Sequence, residues 1–359
     1  MLIRRSHASA GHKPLIMEKV VKIARSLHDP DVLDHAQYDG DKPGGLYESF
    51  YQRANHPTKP LAFWIRYTVF VPKGRPEAAI GELWFVFFDG ETGEHTVMKE
   101  EFPIAECSFS TNSFDVRIGE AVLTPGRLVG GGEAAGGRST WDLSYKSAHP
   151  PVLLQPRLAY SLEFPKAKSL VAHPLAVFDG VLTVDGREIP IRDWVGSQNH
   201  NWGSAHTDKY AFAQVAGFNE DPEGFLEIAT AQVRLAGPVH TPWVTMLVLR
   251  SHGREYDMSS LLRAFRHRAK YSYFEWTFTA ENDRARISGR ISAPREAFVG
   301  LVYYNPSGGI KHCLNTKIGR CELQVADKTD GREFTLTTAH RALFEILTDD
   351  RRHGITIRA

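Results

Sequence analysis

The 359-residue sequence is short of several things at once. It has three cysteines, Cys107, Cys313 and Cys321, an odd number with no CxxC pair. That argues against a disulfide framework or a cysteine-built zinc site and suits reduced, buried thiols. No charge of one sign prevails, with 43 Lys and Arg against 42 Asp and Glu. A nucleic-acid partner is therefore not expected, since such binders carry a basic stripe or surplus. The basic tract Arg263 to Lys270 suits a solvated loop or short helix face. No run of about 18 apolar residues could span a bilayer, so membrane contact is limited to the surface. Arg4, Arg5 and His7 are not followed by the apolar core of a signal peptide, and a cytoplasmic location is expected.

Two mononucleotide-binding signatures are missing as well. Gly130 to Gly137 is glycine-rich but lacks GxGxxG spacing and a Lys-Ser/Thr pair, and it leads into Ser139-Thr140-Trp141. It reads as a flexible hairpin loop. No strand–helix alternation appears, which excludes Rossmann and TIM-barrel folds.

What is present is β structure. One stretch reads as helix, Met17 to Leu27, with Val20, Val21, Ile23, Ala24 and Leu27 near helical spacing before His28-Asp29-Pro30 ends it. A shorter, basic candidate spans Met258 to Ala269. Leu61 to Val71 is rich in β-branched and aromatic residues and stops at Pro72-Lys73-Gly74. Ile80 to Phe88 repeats the style. Asp185-Gly186, flanked by Val181 to Val184 and Arg187 to Ile191, is the strongest hairpin signal. Further β runs cover Tyr210 to Phe218, Phe225 to Leu235, Trp243 to Arg250, Tyr271 to Ala280, Arg284 to Ala293, Ala297 to Tyr304 and Glu333 to Ala339. Short strands with turns between them predict an all-β protein of barrels or sandwiches. The length predicts two domains. The expected division is an N-terminal extension over 1–40, a first β domain over 41–175 and a second over 176–359.

The segment Asp193 to Gly203 reads Asp-Trp-Val-Gly-Ser-Gln-Asn-His-Asn-Trp-Gly. Asn is a poor strand former and a good turn former, so composition alone favours a polar loop. Against that, Trp194 and Trp202 bracket the segment and a well-patterned strand follows. There Tyr210, Phe212, Gln214 and Phe218 alternate with Ala211, Ala213 and Val215, which suits a barrel wall with a ligand-facing side. A Gln inside an aromatic stripe costs free energy unless something polar meets it.

This segment resembles the signature of the two-domain lipocalin-like proteins that include carotenoid 1,2-hydratases, tocopherol cyclases and AttH-like proteins. The cyclase motif Gly-Tyr-Ala-Glu-Lys-Asn-Trp-Gly falls without gaps on Gly196 to Gly203. The hydratase motif His-Asp-His-Asn-Trp-Gly falls on Gln198 to Gly203. Glu48 to Asn55, Trp64 to Thr68, Trp141-Asp142-Leu143 and Asn305 to Gly308 fit the pattern too. The resemblance implies two tandem lipocalin-like antiparallel barrels with few short helices. It also implies a hydrophobic, isoprenoid or polyketide-like substrate in a barrel cavity, and alkene protonation without a cofactor. An acid for that purpose must stay protonated at neutral pH, which burial achieves. Where the relatives carry Glu or Asp, this chain has Asn199, and an amide donates no catalytic proton.

Three residues are candidates for the proton work: His200, Glu48 and Tyr210. Gln198, Asn199, Trp202, His206, Gln214 and Trp64 are the expected substrate contacts. Glu227 and Glu275 also interrupt apolar runs but read as solvent-facing members of alternating strands. His200, His206 and Asp208 have no recognised metal spacing, so no metal is assigned. A cofactor-free cyclase, isomerase or hydratase is the first expectation, a non-catalytic carrier the second, and a filled barrel with a structural role the third.

Overall fold

The computed structural model describes residues 30–359 apart from 163–164, 233 and 237–238. The helix expected at Met17 to Leu27 lies outside the described residues. The first antiparallel sheet holds β1 (Leu46–Asn55), β2 (Leu61–Val71), β3 (Ile80–Asp89), β4 (Thr96–Pro103), β5 (Cys107–Phe109), β6 (Val116–Ile118), β7 (Ala121–Thr124), β8 (Arg127–Ala134), β9 (Gly137–Lys146), β10 (Val152–Leu153), β11 (Ala167–Val184) and β12 (Arg187–Gly203). The second holds β13 (Lys209–Ala216), β14 (Phe225–Gln232), β17 (Val244–Ser251), β18 (Arg254–Asp257), β19 (Arg268–Ser272), β20 (Glu275–Glu281), β21 (Ala285–Ser292), β22 (Val299–Tyr304), β23 (Ile310–Asp327) and β24 (Glu333–Thr348). A small hairpin pairs β15 (Arg234–Ala236) with β16 (Val239–His240). Among the described residues the α-helices are two four-residue turns, Pro30–Leu33 and Leu261–Ala264. The all-β expectation holds.

The first sheet curls round its own core. Phe50, Phe63, Tyr67, Phe85, Phe87 and Trp141 fill it from one face. Truncating a side chain of this size to alanine costs about 3–5 kcal/mol. The curl brings β4 to the β8–β9 turn, where the Val97 N–H donates to the Gly136 carbonyl at 3.3 Å. A Cβ on Gly136 would lie 2.2 Å from the Val97 carbonyl oxygen, so glycine is required for that approach. The glycine-rich stretch is thus a hairpin, with Gly130, Gly131 and Gly132 inside β8 rather than in the loop. At Asp185-Gly186 both residues take positive φ, 50° and 81°, as a two-residue type I′ hairpin requires.

The chain changes sheet between Gly203 and Lys209, not near Leu175. Leu175 sits inside β11, at one of three bulges that bend the strand so that it pairs with both β12 and β9. Likewise the run Tyr271 to Ala280 is broken at Tyr273-Phe274, where Phe274 turns with φ 78°, into β19 and β20.

The two sheets meet through their outer faces. Lys317 from β23 lies over the Trp64 ring at 5.2 Å, and Tyr303 from β22 stands edge-on to Trp84 at 5.9 Å. Asn55 donates to the Lys317 carbonyl at 2.7 Å. Both barrel interiors carry apolar side chains, and the space that concerns function lies between the barrels.

Candidate active site

Strand alternation sorts the signature segment into two faces. In β1, Tyr47, Ser49, Tyr51 and Arg53 pair with Gly203, Asn201, Asn199 and Ser197 of β12, while Glu48, Phe50 and Gln52 pair with Trp202, His200 and Gln198. The first set turns toward the second sheet. The second set turns toward the core of the first. The segment is therefore strand, not loop, and β1 and β12 pack so closely that a Cβ on Gly196 would lie 1.7 Å from the Arg53 carbonyl oxygen.

A cavity of about 140 Å³ opens between the sheets. Tyr47, Ser49, Tyr51, Trp64 and Arg66 line it from the first, and Tyr210, Phe212, Met246, Tyr303 and Glu345 from the second. An apolar cavity near 150 Å³ accepts a benzene ring, so this one takes a ring-sized group. The expected cavity inside a barrel is replaced by one between barrels, because the stripe Tyr210, Phe212, Gln214 lies on the outer face of its sheet. Its small partners Ala211, Ala213 and Val215 are buried in the second core.

Of the expected contacts, Trp64 and His206 line this cavity, as does Tyr210 of the three candidates for the proton work. His206 stacks on Tyr47 at 3.9 Å, and burial with Arg66 nearby lowers its pKa to about 3, leaving a neutral imidazole. Asn199 and Gln214 lie beneath the cavity, bonded to each other. Gln214 Nε2 donates to Asn199 Oδ1 at 2.7 Å, Asn199 Nδ2 donates to Ser197 Oγ at 3.0 Å, and Ser197 Oγ donates to Gln214 Oε1 at 3.0 Å. Asn199 is a closed member of a buried ring of hydrogen bonds.

Gln198, His200, Trp202 and Glu48 are not at the cavity. Glu48 and His200 do meet, at 2.7 Å, but on the opposite face and fully buried. His200 Nδ1 contacts the Leu33 carbonyl at 2.7 Å, and the Glu48 carboxylate accepts from Gln37 N and Tyr38 N. Gln198 Nε2 donates to Asp34 at 2.9 Å. Trp202 packs beside His200, ring centres 4.6 Å apart. These four fasten the N-terminal segment to the sheet. Among the described residues, no group of three or more His, Cys, Asp or Glu forms a metal-binding cluster.

The residue read as solvent-facing proves to be the buried acid. Glu227 pairs with Gln214 across β13 and β14 and shares a face with the lining residues Ala229 and Ala231, one row deeper. It is fully buried, its Oε2 has no hydrogen-bond partner among the described residues, and Oε1 accepts from Ser169 Oγ at 3.4 Å. Burial pushes its pKa up to about 8, against weaker lowering by Ser169, the neighbouring Gln214 amide and Arg53. Ser169 itself lines the cavity. A second carboxyl, Glu345, is ion-paired with Lys317 at 2.8 Å and accepts from Tyr210 Oη at 3.5 Å. Environment thus separates a neutral carboxyl from a paired one. The Tyr51 phenol, raised well above its usual pKa by burial and by Glu345 and Glu227, lies near both.

No family model matches the chain. An uncharacterized protein of Mycobacterium tuberculosis, found in strains CDC 1551 and H37Rv, is 24% identical over 284 residues, 79% of this chain and 82% of that protein. Among solved structures, kievitone hydratase from Nectria haematococca superimposes with a TM-score of 0.55 and 11% identity, over 85% of this chain and 89% of that one. An AttH-like protein of Nitrosomonas europaea gives 0.52 at 14% identity, over 85% and 92%. CghA with Sch210972 gives 0.53 at 11% identity, over 85% and 89%. The chain has the AttH-like fold. The resemblance carried by Gly196 to Gly203 is met at the level of the AttH-like architecture, and within it Gly196 and Gly203 hold β12 against its neighbours. A Cβ on Gly203 would lie 2.1 Å from the Lys166 carbonyl oxygen. No helix among the described residues is long and apolar enough to cross a membrane.

Proposed function

We propose that the chain is a cofactor-free hydratase, cyclase or isomerase. It acts on a hydrophobic small molecule of isoprenoid or polyketide type held between the two sheets. The observation that carries the reading is Glu227, a carboxyl kept neutral at pH 7 by burial just behind a cavity-lining hydroxyl. It supplies the proton donor that Asn199 cannot. Protonated on Oε1, Glu227 donates to Ser169 Oγ across the same 3.4 Å, in place of the bond that an ionised carboxylate accepts, and Ser169 passes its own proton into the cavity as it takes this one. The phenols of Tyr51 and Tyr210, both held protonated by burial, orient the substrate's oxygen atoms. Glu345, paired with Lys317, stands on the far side to stabilise developing positive charge.

Incubation in D₂O with a panel of prenylated and polyketide-like alkenes tests this by mass spectrometry. An enzyme of this type moves solvent deuterium into carbon, and Glu227→Gln slows the uptake by about 10²-fold or more. Binding without deuterium uptake by any alkene would favour the carrier. Equal uptake by wild type and Glu227→Gln would overturn the role of Glu227.

A further inference from the structure

Arg66 is a charged cavity-lining group that the proposed chemistry does not use. It projects from β2 across from Tyr51, is 6% exposed, and lies against the Tyr303 ring with its guanidinium carbon 4.5 Å from the centroid and 5.9 Å from that of Trp64. Two carboxylates are near enough to act on it through the field, Glu82 and Glu345. Both are already engaged, Glu82 with Lys99 at 2.8 Å and Glu345 with Lys317 at 2.8 Å. Among the described residues none makes an ion pair or side-chain hydrogen bond with the Arg66 guanidinium, and its Nε is buried with no partner. Burial alone would lower its pKa, and Tyr303, Glu82 and Glu345 together hold it raised, so the group stays a cation; none of them bonds it, and a buried N–H left without an acceptor is costly.

Tyr51 and Trp64 stand in the same cavity wall, and Tyr51 Oη and Trp64 Nε1 are buried without a partner among the described residues. Tyr51 Oη is held as the protonated phenol. Three residues of one cavity's wall thus carry a planar cation, an O–H donor and an N–H donor, each with hydrogen-bonding capacity to spare. Water could satisfy the two neutral donors, but it cannot neutralise the guanidinium.

We propose that this wall is an oxyanion subsite: the ligand is a flat, largely apolar molecule carrying a delocalised oxyanion, a carboxylate or an ionised enol, received by Arg66 with Tyr51 Oη and Trp64 Nε1. Arg suits a planar two-oxygen group because its N–H donors form a fork of the same geometry. Phe212, Met246 and Tyr47, elsewhere in the lining, accept the apolar body. The inference rests on the cavity being the ligand site, and it narrows the substrate class to acidic molecules.

Titration calorimetry with a matched pair of one-ring probes, benzoate and benzamide, on the full chain separates the two claims. The expected result is at least tenfold tighter binding of the benzoate, a preference lost in Arg66→Gln. Arg66→Lys should keep part of the preference, and thermal melts verify that the variants are folded. Equal affinity of the two probes for wild type overturns the oxyanion subsite and leaves the cavity as a ligand site. A preference that survives in folded Arg66→Gln overturns the role of Arg66. Failure of both probes to bind at millimolar concentration overturns the cavity reading itself. If Arg66→Gln does not fold, the wild-type comparison with Arg66→Lys decides.

Discussion

Glu48 and His200 meet at 2.7 Å with both side chains fully buried, on the face of the first sheet that turns away from the cavity. Phe50 stacks on the imidazole at 4.2 Å, and Leu33, Gln37 and Tyr38 complete the hydrogen bonds from the N-terminal segment. Removing one partner leaves the other buried without it. Glu48→Gln and His200→Ala should each destabilise the fold by about 3–5 kcal/mol, as read by urea unfolding. Neither should change ligand affinity in the folded protein. A cost below about 1 kcal/mol, the range of exposed pairs, would show that the clasp is not structural.

Asn199 should behave as a structural residue too. Asn199→Ala strands Gln214 Nε2 in a buried site, while Ser197 Oγ keeps its bond to Gln214 Oε1. The expected cost is about 1–3 kcal/mol for the stranded group, measured by chemical denaturation, with ligand binding retained. Loss of binding in a variant of wild-type stability would return Asn199 to the cavity.

Stability should depend on pH in a direction set by Glu227. Its folded pKa, about 8, lies above the usual carboxyl value of 4.5. Between these values the folded state holds a proton that the unfolded state has released. Stability from this group therefore falls as pH rises through that window and levels off above about 8. Glu227→Gln has no proton to lose, so its melting temperature should fall less between pH 6 and pH 9 than that of wild type. A steeper fall in the variant would contradict the assignment.

Much of the fold was legible in the residues, and the reasons are local. Leu61 to Val71 is a strand over the range its β-branched and aromatic residues indicate, and Asp185-Gly186 turns the hairpin because both residues tolerate positive φ. Alternation also placed Asn199 and His200 on opposite faces. It could not say which face met the cavity, because a period of two distinguishes sides of a strand without saying what each side packs against. Glu227 was hidden for the same reason. In an alternating strand a carboxyl reads as solvent-facing, and only the docking of one sheet on another removes the solvent. The boundary near Leu175 failed because β11 crosses it on bulges, with Pro174 and Leu175 accommodated at an irregularity in the pairing.

The buried pair Lys317 and Glu345 offers a check on the polar wall of the cavity. Lys317→Met removes the only side-chain cation within ion-pair distance of Glu345 among the described residues, and Asn315 Nδ2 at 2.8 Å is a neutral substitute. The variant should lose about 3–5 kcal/mol in urea unfolding. Lys317→Met combined with Glu345→Gln should recover part of the loss. No recovery in the double variant would mean that the two side chains act independently.

Infrared difference spectroscopy between wild type and Glu227→Gln tests most directly whether Glu227 is a neutral acid at physiological pH. The account predicts the carbonyl stretch of a protonated carboxyl in wild type at pH 7, absent from the variant, giving way to carboxylate bands as pH passes about 8. A Glu227 already ionised at pH 6 would contradict it.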